Sequence, residues 1–196
     1  MLDGKKVISY MRAKGYEVRA VNLVGIEGMN ADGSLNSDQL DLWNDVVLVI
    51  RDTGEILVSA VATTEPGRYY TKNRMNPRGA ARLAIGQHKD AWAFGYHNYD
   101  KSHPALVQVG PVTVHRDNNA DGFRTADVTD VGLFGVNIHG TLDRHSANSV
   151  GRWSAGCVVS RDWPKHLTIL KFMRDSGRPL ITFTLLDGTD FYKLTR

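Results

Sequence analysis

Short runs of apolar residues, separated by turn residues, predict a chain built mostly from β-strands. The clearest unit is a β-hairpin, in which residues 45–50 and 56–62 are joined by a turn at 51–55. Counting all such runs gives about ten strands. The other main runs are residues 18–26, 83–87, 92–96, 105–109, 112–115, 180–186 and 191–194. The last two are predicted to form a closing hairpin around Asp187-Gly188.

Two stretches instead have the apolar spacing of an amphipathic helix. They are residues 5–14 and residues 162–176, the second with Pro164 in its first turn. Many strands and few helices predict a mainly β fold, a β-sandwich or an open barrel. We expect one such domain over residues 17–196, with a short N-terminal helix within residues 1–16.

The composition indicates an ordinary globular protein with a substantial core, since 42% of the 196 residues are hydrophobic and 23% are charged. No apolar run approaches the roughly 18 residues of a membrane-spanning helix, and the N-terminus lacks the features of a signal peptide. We therefore expect no membrane span and synthesis in the cytoplasm. The net charge of +3 is spread along the chain, which argues against a nucleic-acid partner. We expect a monomer.

The candidate chemistry lies around the only cysteine, Cys157. A thiol reacts as thiolate, and an unperturbed cysteine has a pKa of about 8.5, so a neighbouring base is needed. His139, at the end of the apolar run 133–138, could take the proton. Gly156 lets the backbone turn tightly, and amide groups of that turn could face an oxyanion. Taken singly, each residue could instead be structural, because a lone cysteine is most often a small buried hydrophobe.

The same residues resemble the signature of L,D-transpeptidase catalytic domains of the YkuD type. The matching segments are Ile138-His139-Gly140-Thr141, Val150-Gly151 and Ser154-Ala155-Gly156-Cys157. A looser second match is formed by Ala62-Thr63-Thr64 and Asn76-Pro77-Arg78-Gly79. Two positions differ from the motif: Ala155 stands in place of its second histidine, and Val159 in place of the usual Asn or Arg.

The resemblance implies a mainly β enzyme that transfers acyl groups of peptidoglycan stem peptides through a cysteine, without a cofactor. It implies Cys157 as nucleophile, His139 as general base and the carbonyl of Gly140 as the group that orients the histidine. The backbone amides of Gly156 and Cys157 would bind the oxyanion, and Ser154 would shape the turn.

Three further residues are candidates for binding the substrate. Arg152 and Arg161 flank the nucleophile, and either could hold a substrate carboxylate, although each could equally be a solvated surface arginine. Tyr69 belongs to an aromatic and basic loop, residues 63–82, and could form a wall or lid of the site.

We expect hydrolysis rather than transpeptidation, because no export signal is found and the polar substrate-side residues of the motif are changed. The expected protein is a cell-wall peptidase of the phage-lysin or toxin kind, which reaches the wall after release or delivery.

Two other functions stay open. A metal-dependent hydrolase could use His139, Asp143, His145 and Cys157, although their spacing matches no zinc signature. A non-catalytic wall-binding protein would explain the loss of the second motif histidine.

Residues 117–122 also match the first half of a calcium-binding loop. The position that should supply a bidentate glutamate is Val128, however, and the same composition is typical of a plain turn.

Overall fold

The computed structural model describes residues 2–122, 124, 127–142 and 148–196, and it confirms a mainly β chain. Strands account for 37% of the residues and helices for 20%. The strands are, in chain order, Val21–Glu27 (β1), Asp45–Arg51 (β2), Ile56–Thr63 (β3), Ala80–Leu83 (β4), Gly86–Tyr96 (β5), Pro104–Gln108 (β6), Val112–Asp117 (β7), Val128–Gly132 (β8), Ile138–Gly140 (β9), Val158–Ser160 (β10) and Leu180–Asp187 (β11). The α-helices are Gly4–Ala13 (α1), Arg68–Lys72 (α2), Trp163–Asp175 (α3) and Gly188–Leu194 (α4).

Eight of these strands form a closed barrel in the order β1-β11-β5-β6-β9-β10-β3-β2. The sheet closes because β1 pairs in antiparallel fashion with β2 on one side and in parallel fashion with β11 on the other. Closure leaves no free edge, and it differs from the predicted sandwich or open barrel. Strands β4, β7 and β8 form a separate three-stranded sheet.

Alternate residues of β1 and β2 contribute to two different hydrophobic cores. Leu23 and Val47 belong to the first core, together with Ile169 of α3. Val24 and Leu48 belong to the second core, which contains the buried faces of α1 and α4. Strands buried on both faces have continuous apolar sequences, and the N-terminal helix packs against the barrel.

The predicted strand at residues 191–194 is wrong, because this segment is part of α4. The carboxylate of Asp187 accepts a hydrogen bond from the backbone N–H of Asp190 at 2.9 Å and so caps the helix. Phe191 is buried and meets the ring of Tyr10 edge-on at 5.5 Å. The Asp-Gly pair that suggested a hairpin turn therefore begins a helix instead. None of the helices in the described ranges has the length and apolar character that crossing a bilayer requires.

The segment that resembles half of a calcium loop is closed by its own hydrogen bonds. The carboxylate of Asp117 accepts from the backbone N–H groups of Asp121 at 3.2 Å and Gly122 at 3.0 Å. The side-chain oxygen of Asn119 accepts from Asp121 N–H at 3.1 Å. These acceptors thus serve a turn, which is the alternative reading of this composition.

A buried ionic cluster joins the ends of several strands around Arg82. Its Nη2 atom lies 3.1 Å from Glu27, 3.1 Å from Asp38 and 3.0 Å from Glu65. Arg124 also pairs with Glu27. Burial raises the pKa of Glu65 above its usual value, whereas the neighbouring Arg82 acts in the opposite direction. The carboxylates lie close enough together to bind a cation, and the guanidinium of Arg82 supplies that charge.

We predict that Arg82→Met lowers the free energy of unfolding by about 3–5 kcal/mol, because it leaves buried carboxylates without their counter-charge. Arg78→Met is the matched control, since Arg78 pairs with Asp130 at 2.9 Å on the surface and should lose about 1 kcal/mol or less. Urea denaturation of both variants measures the difference. Equal losses would show that the Arg82 cluster does not stabilise the barrel.

Candidate functional site

Two short parallel strands bring the candidate nucleophile and base together. In the β9–β10 pair, Val158 lies opposite Ile138 and Val159 lies opposite His139. Paired residues of parallel strands point to the same face, and so do residues two apart in one strand. Cys157, directly before β10, therefore shares a face with His139. The sulfur and a ring nitrogen of the histidine lie within 4.8 Å of each other.

Ser154 lies inside the turn that carries the nucleophile. Its hydroxyl donates to the carbonyl of Cys157 at 2.7 Å and accepts from the N–H of Gly156 at 3.1 Å. Gly156 has φ = +131°, and a Cβ there would lie 2.4 Å from the carbonyl oxygen of Ala81. Only glycine fits this position without a shift of the backbone.

The same hydrogen bond changes the predicted oxyanion site. Because the N–H of Gly156 is already donated to Ser154, it is not available to a substrate oxygen. Of the two predicted amide donors, only that of Cys157 is left, and a second donor has to come from elsewhere.

His139 is held by the carbonyl of Gly140, the residue proposed to orient it. Nδ1 lies 3.1 Å from this oxygen, and Nε2 is buried without a partner in the described part of the chain. Nε2 of His103 also contacts the Gly140 oxygen, at 2.8 Å. A carbonyl can only accept, so His139 is protonated at Nδ1 and its Nε2 is free to accept a proton.

Burial disfavours the charged forms of both the thiol and the imidazole. Burial raises the pKa of Cys157 to about 11, and burial also lowers the pKa of His139 well below its usual value. The sulfur accepts the N–H of Asn137 at 3.4 Å and donates to the carbonyl of Gly135 at 3.6 Å. Burial and these contacts therefore favour a neutral pair over a thiolate–imidazolium pair.

Cys157 opens into a cleft of about 520 Å³. Among the described residues, its lining contains two arginines, Arg116 and Arg152, and no aspartate or glutamate. Arg116 is buried and lies 4.4 Å from the ring centre of Phe134. Arg116 is already paired with Asp130, whose carboxylate lies 3.3 Å from its Nε atom, so Arg152 is the arginine of the lining that could attract an anionic ligand.

The predicted substrate-binding residues lie in different places. Arg152 lines the cleft, and its guanidinium carbon lies 3.9 Å from the ring centre of Tyr69. Tyr69 contacts this arginine but does not line the cleft, whereas the neighbouring Tyr70 does. Arg161 does not line the cleft; its backbone is bound to β3 through Val61. The substrate role predicted for Arg161 is therefore not supported by its position.

Three residues of the site were not found from the sequence. His97 and His103 flank the link between β5 and β6, and Arg116 lies in the smaller sheet. No local motif marks them, because their place depends on the pairing of β6 with β9 and on how the small sheet meets the barrel.

Three side chains of this site could act as ligands of a metal ion. A ring nitrogen of His97, a ring nitrogen of His139 and the sulfur of Cys157 all lie within 4.8 Å of one another. The two imidazole rings are stacked, with centres 3.9 Å apart and planes only 23° from parallel. A nitrogen lone pair lies in the plane of its ring, so nearly parallel rings cannot both direct their lone pairs at one ion. The predicted ligands Asp143 and His145 lie outside the described residues.

Comparisons of the chain with models of protein families, with curated proteins and with solved structures find no match. The likeness to L,D-transpeptidases rests on the motif residues, and it stays a prediction.

We predict that iodoacetamide labels Cys157 at a rate that rises about tenfold per pH unit from pH 7 to beyond pH 9, because the rate follows the thiolate fraction. Mass spectrometry reads the label on the single cysteine. In the denatured chain the same rate should level off around the ordinary cysteine pKa of about 8.5. A rate that stays constant between pH 6 and 8 in the folded protein would instead indicate a thiolate–imidazolium pair.

We predict that Gly156→Ala lowers the free energy of unfolding by about 1–3 kcal/mol more than Gly86→Ala does, through overpacking. Both glycines have comparable positive φ angles, +131° and +143°, but a Cβ at Gly86 would meet no atom within 4 Å. The difference between the variants in urea denaturation thus measures the collision with Ala81. Equal losses would mean that the turn can move away from the small sheet at little cost.

Proposed function

We propose that this protein is a cysteine acyl-transfer enzyme that acts on peptidoglycan stem peptides, with hydrolysis as the outcome. The observation that carries the proposal is the placement of Cys157 and His139 on one face of the β9–β10 pair, next to a cleft. The bond from His139 to the Gly140 carbonyl supports it further, because it leaves Nε2 as the base.

The reaction begins when the side chain of Cys157 turns its S–H from the Gly135 carbonyl to Nε2 of His139. The sulfur attacks the carbonyl carbon as its proton moves to Nε2, and the π electrons of the C=O bond move to oxygen. Collapse of this tetrahedral intermediate breaks the C–N bond. The leaving amine takes the proton from His139, and a thioester on Cys157 is left.

Water then completes the hydrolysis. Its oxygen attacks the thioester as His139 takes one of its protons, and collapse releases the carboxylic acid and returns the proton to sulfur. An amine in place of water would give transpeptidation by the same steps. Hydrolysis is proposed because the polar substrate-side positions of the motif are Ala155 and Val159 in this chain.

The charge of the cleft supports an anionic substrate. Stem peptides carry carboxylates, and a guanidinium can bind a carboxylate through two parallel hydrogen bonds. Arg152 is the arginine of the cleft placed for this contact, because Arg116 is paired with Asp130. The mild positive charge of the chain as a whole, +3, acts in the same direction.

A metal-dependent hydrolase is the second candidate, because three possible ligand atoms of His97, His139 and Cys157 lie together. It would require one imidazole to leave the stacked arrangement. Chelation separates the two: a metalloenzyme loses activity with a chelator and regains it with zinc, whereas the cysteine enzyme is unaffected by chelation and is stopped by alkylation.

We predict that purified muropeptides incubated with the wild type lose mass by cleavage of a peptide bond, and that Cys157→Ala abolishes this change. Liquid chromatography with mass spectrometry measures the products and identifies the bond. A Cys157-dependent gain of an amino acid or of a second stem would replace hydrolysis by transpeptidation. Muropeptides unchanged by both proteins would contradict the proposal and favour the non-catalytic wall-binding protein.

A further inference from the structure

We infer that His97 is a second catalytic imidazole, whose Nε2–H donates a hydrogen bond to the oxyanion formed when Cys157 attacks a carbonyl. This inference rests on the proposed acyl transfer. It assigns a role to a residue that belongs to no motif of the sequence.

His97 lies where such a donor is needed. It follows β5 directly, lines the cleft next to the nucleophile, and has a ring nitrogen within 4.8 Å of the sulfur of Cys157. Its ring stacks on that of His139 at 3.9 Å. His97 is half-buried, unlike His139, and so it can touch both the reacting pair and a bound substrate.

The hydrogen bonds around His97 fix which of its nitrogens carries the proton. The backbone N–H of Gln108 donates to Oδ1 of Asn137 at 3.0 Å, which sets the orientation of this amide. Nδ2 of Asn137 consequently faces Nδ1 of His97, at 3.2 Å. An amide nitrogen can only donate, so Nδ1 accepts and the neutral ring carries its proton on Nε2. Nε2 has no partner among the described residues and is available to a ligand.

The surroundings of His97 favour its neutral form. Burial lowers its pKa to about 4, and the neighbouring His103 lowers it further in the same direction. A neutral imidazole can donate a hydrogen bond to an oxyanion without giving up its proton. Neutrality matters here, because a positive charge on His97 would oppose the imidazolium that forms on the stacked His139.

Without His97, the oxyanion would have only one of the two predicted backbone donors, the N–H groups of Gly156 and Cys157. Ser154 takes the N–H of Gly156, which leaves that of Cys157. Acyl-transfer sites stabilise the oxyanion with donors fixed in advance, and loss of one donor lowers the rate by about 10²–10³-fold. Nε2–H of His97 is the side-chain donor placed to complete this site.

Two small reagents separate this role from a structural one. p-Nitrophenyl acetate acylates the cysteine through an oxyanion and releases p-nitrophenolate, whereas iodoacetamide alkylates it by displacement of iodide without an oxyanion. His97→Phe keeps a stacking ring and removes the donor. We predict that this variant releases p-nitrophenolate about 10²–10³-fold more slowly, while its alkylation rate changes less than about threefold.

In a second pair of variants, the imidazole of His97 is replaced by a side chain that has no ring. His97→Gln keeps an N–H donor near the position of Nε2, and His97→Met has a similar size but no donor. We predict that the glutamine variant is acylated at least about tenfold faster than the methionine variant. This comparison decides the question even where His97→Phe does not fold.

The outcomes distinguish the two proposals. Acylation of His97→Phe at the wild-type rate, or equal rates for the glutamine and methionine variants, would overturn the donor role and leave the acyl-transfer function standing. Parallel loss of acylation and alkylation would also overturn it, because His97 would then act by positioning the thiol. A wild type that is alkylated but never acylated would overturn the proposed function and this inference together.

Discussion

The parallel pairing of β9 with β10 is the constraint on which the candidate site depends. Each strand has only three residues, so neither holds its place alone, and their register is maintained by β6 and β3 on either side in the closed barrel. A slip by one residue would turn every side chain of a strand to the opposite face. Cys157 would then point away from His139. The close contact of Gly156 with Ala81 fixes the same turn from the small sheet.

Burial disfavours the thiolate form of Cys157, so the site has to stabilise the transition state of its attack on a carbonyl by other interactions. Burial raises the pKa of Cys157 to about 11, which disfavours the thiolate at rest. One fixed oxyanion donor contributes about 3–4 kcal/mol to a transition state. A donor such as His97 would favour attack of the thiol on a carbonyl, whereas alkylation, which forms no oxyanion, would gain nothing from it.

Local sequence predicted the parts of this structure that local interactions determine. The hairpin of β2 and β3 could be predicted because its strands are short apolar runs around a turn. The candidate nucleophile, candidate base and turn lie in one motif. The closure of the barrel could not be read, since it depends on the pairing of β1 with β11 across most of the chain. His97 and Arg116 were missed for the same reason. The error at residues 191–194 has another cause: Asp187 followed by glycine suits a hairpin turn and a helix start equally well.

The two positions at which the chain departs from the motif gain an explanation from the residues around them. Ala155 lines the cleft with a small side chain, and the imidazole next to the nucleophile comes from His97 instead. Val159 is fully buried and pairs with Thr63, so a polar side chain there would have to be desolvated. A guanidinium of the cleft comes from Arg152, whereas that of Arg116 is paired with Asp130. If His97 donates as proposed, an imidazole and a guanidinium are supplied by side chains at positions other than the two that changed, and the changed motif is compatible with acyl transfer.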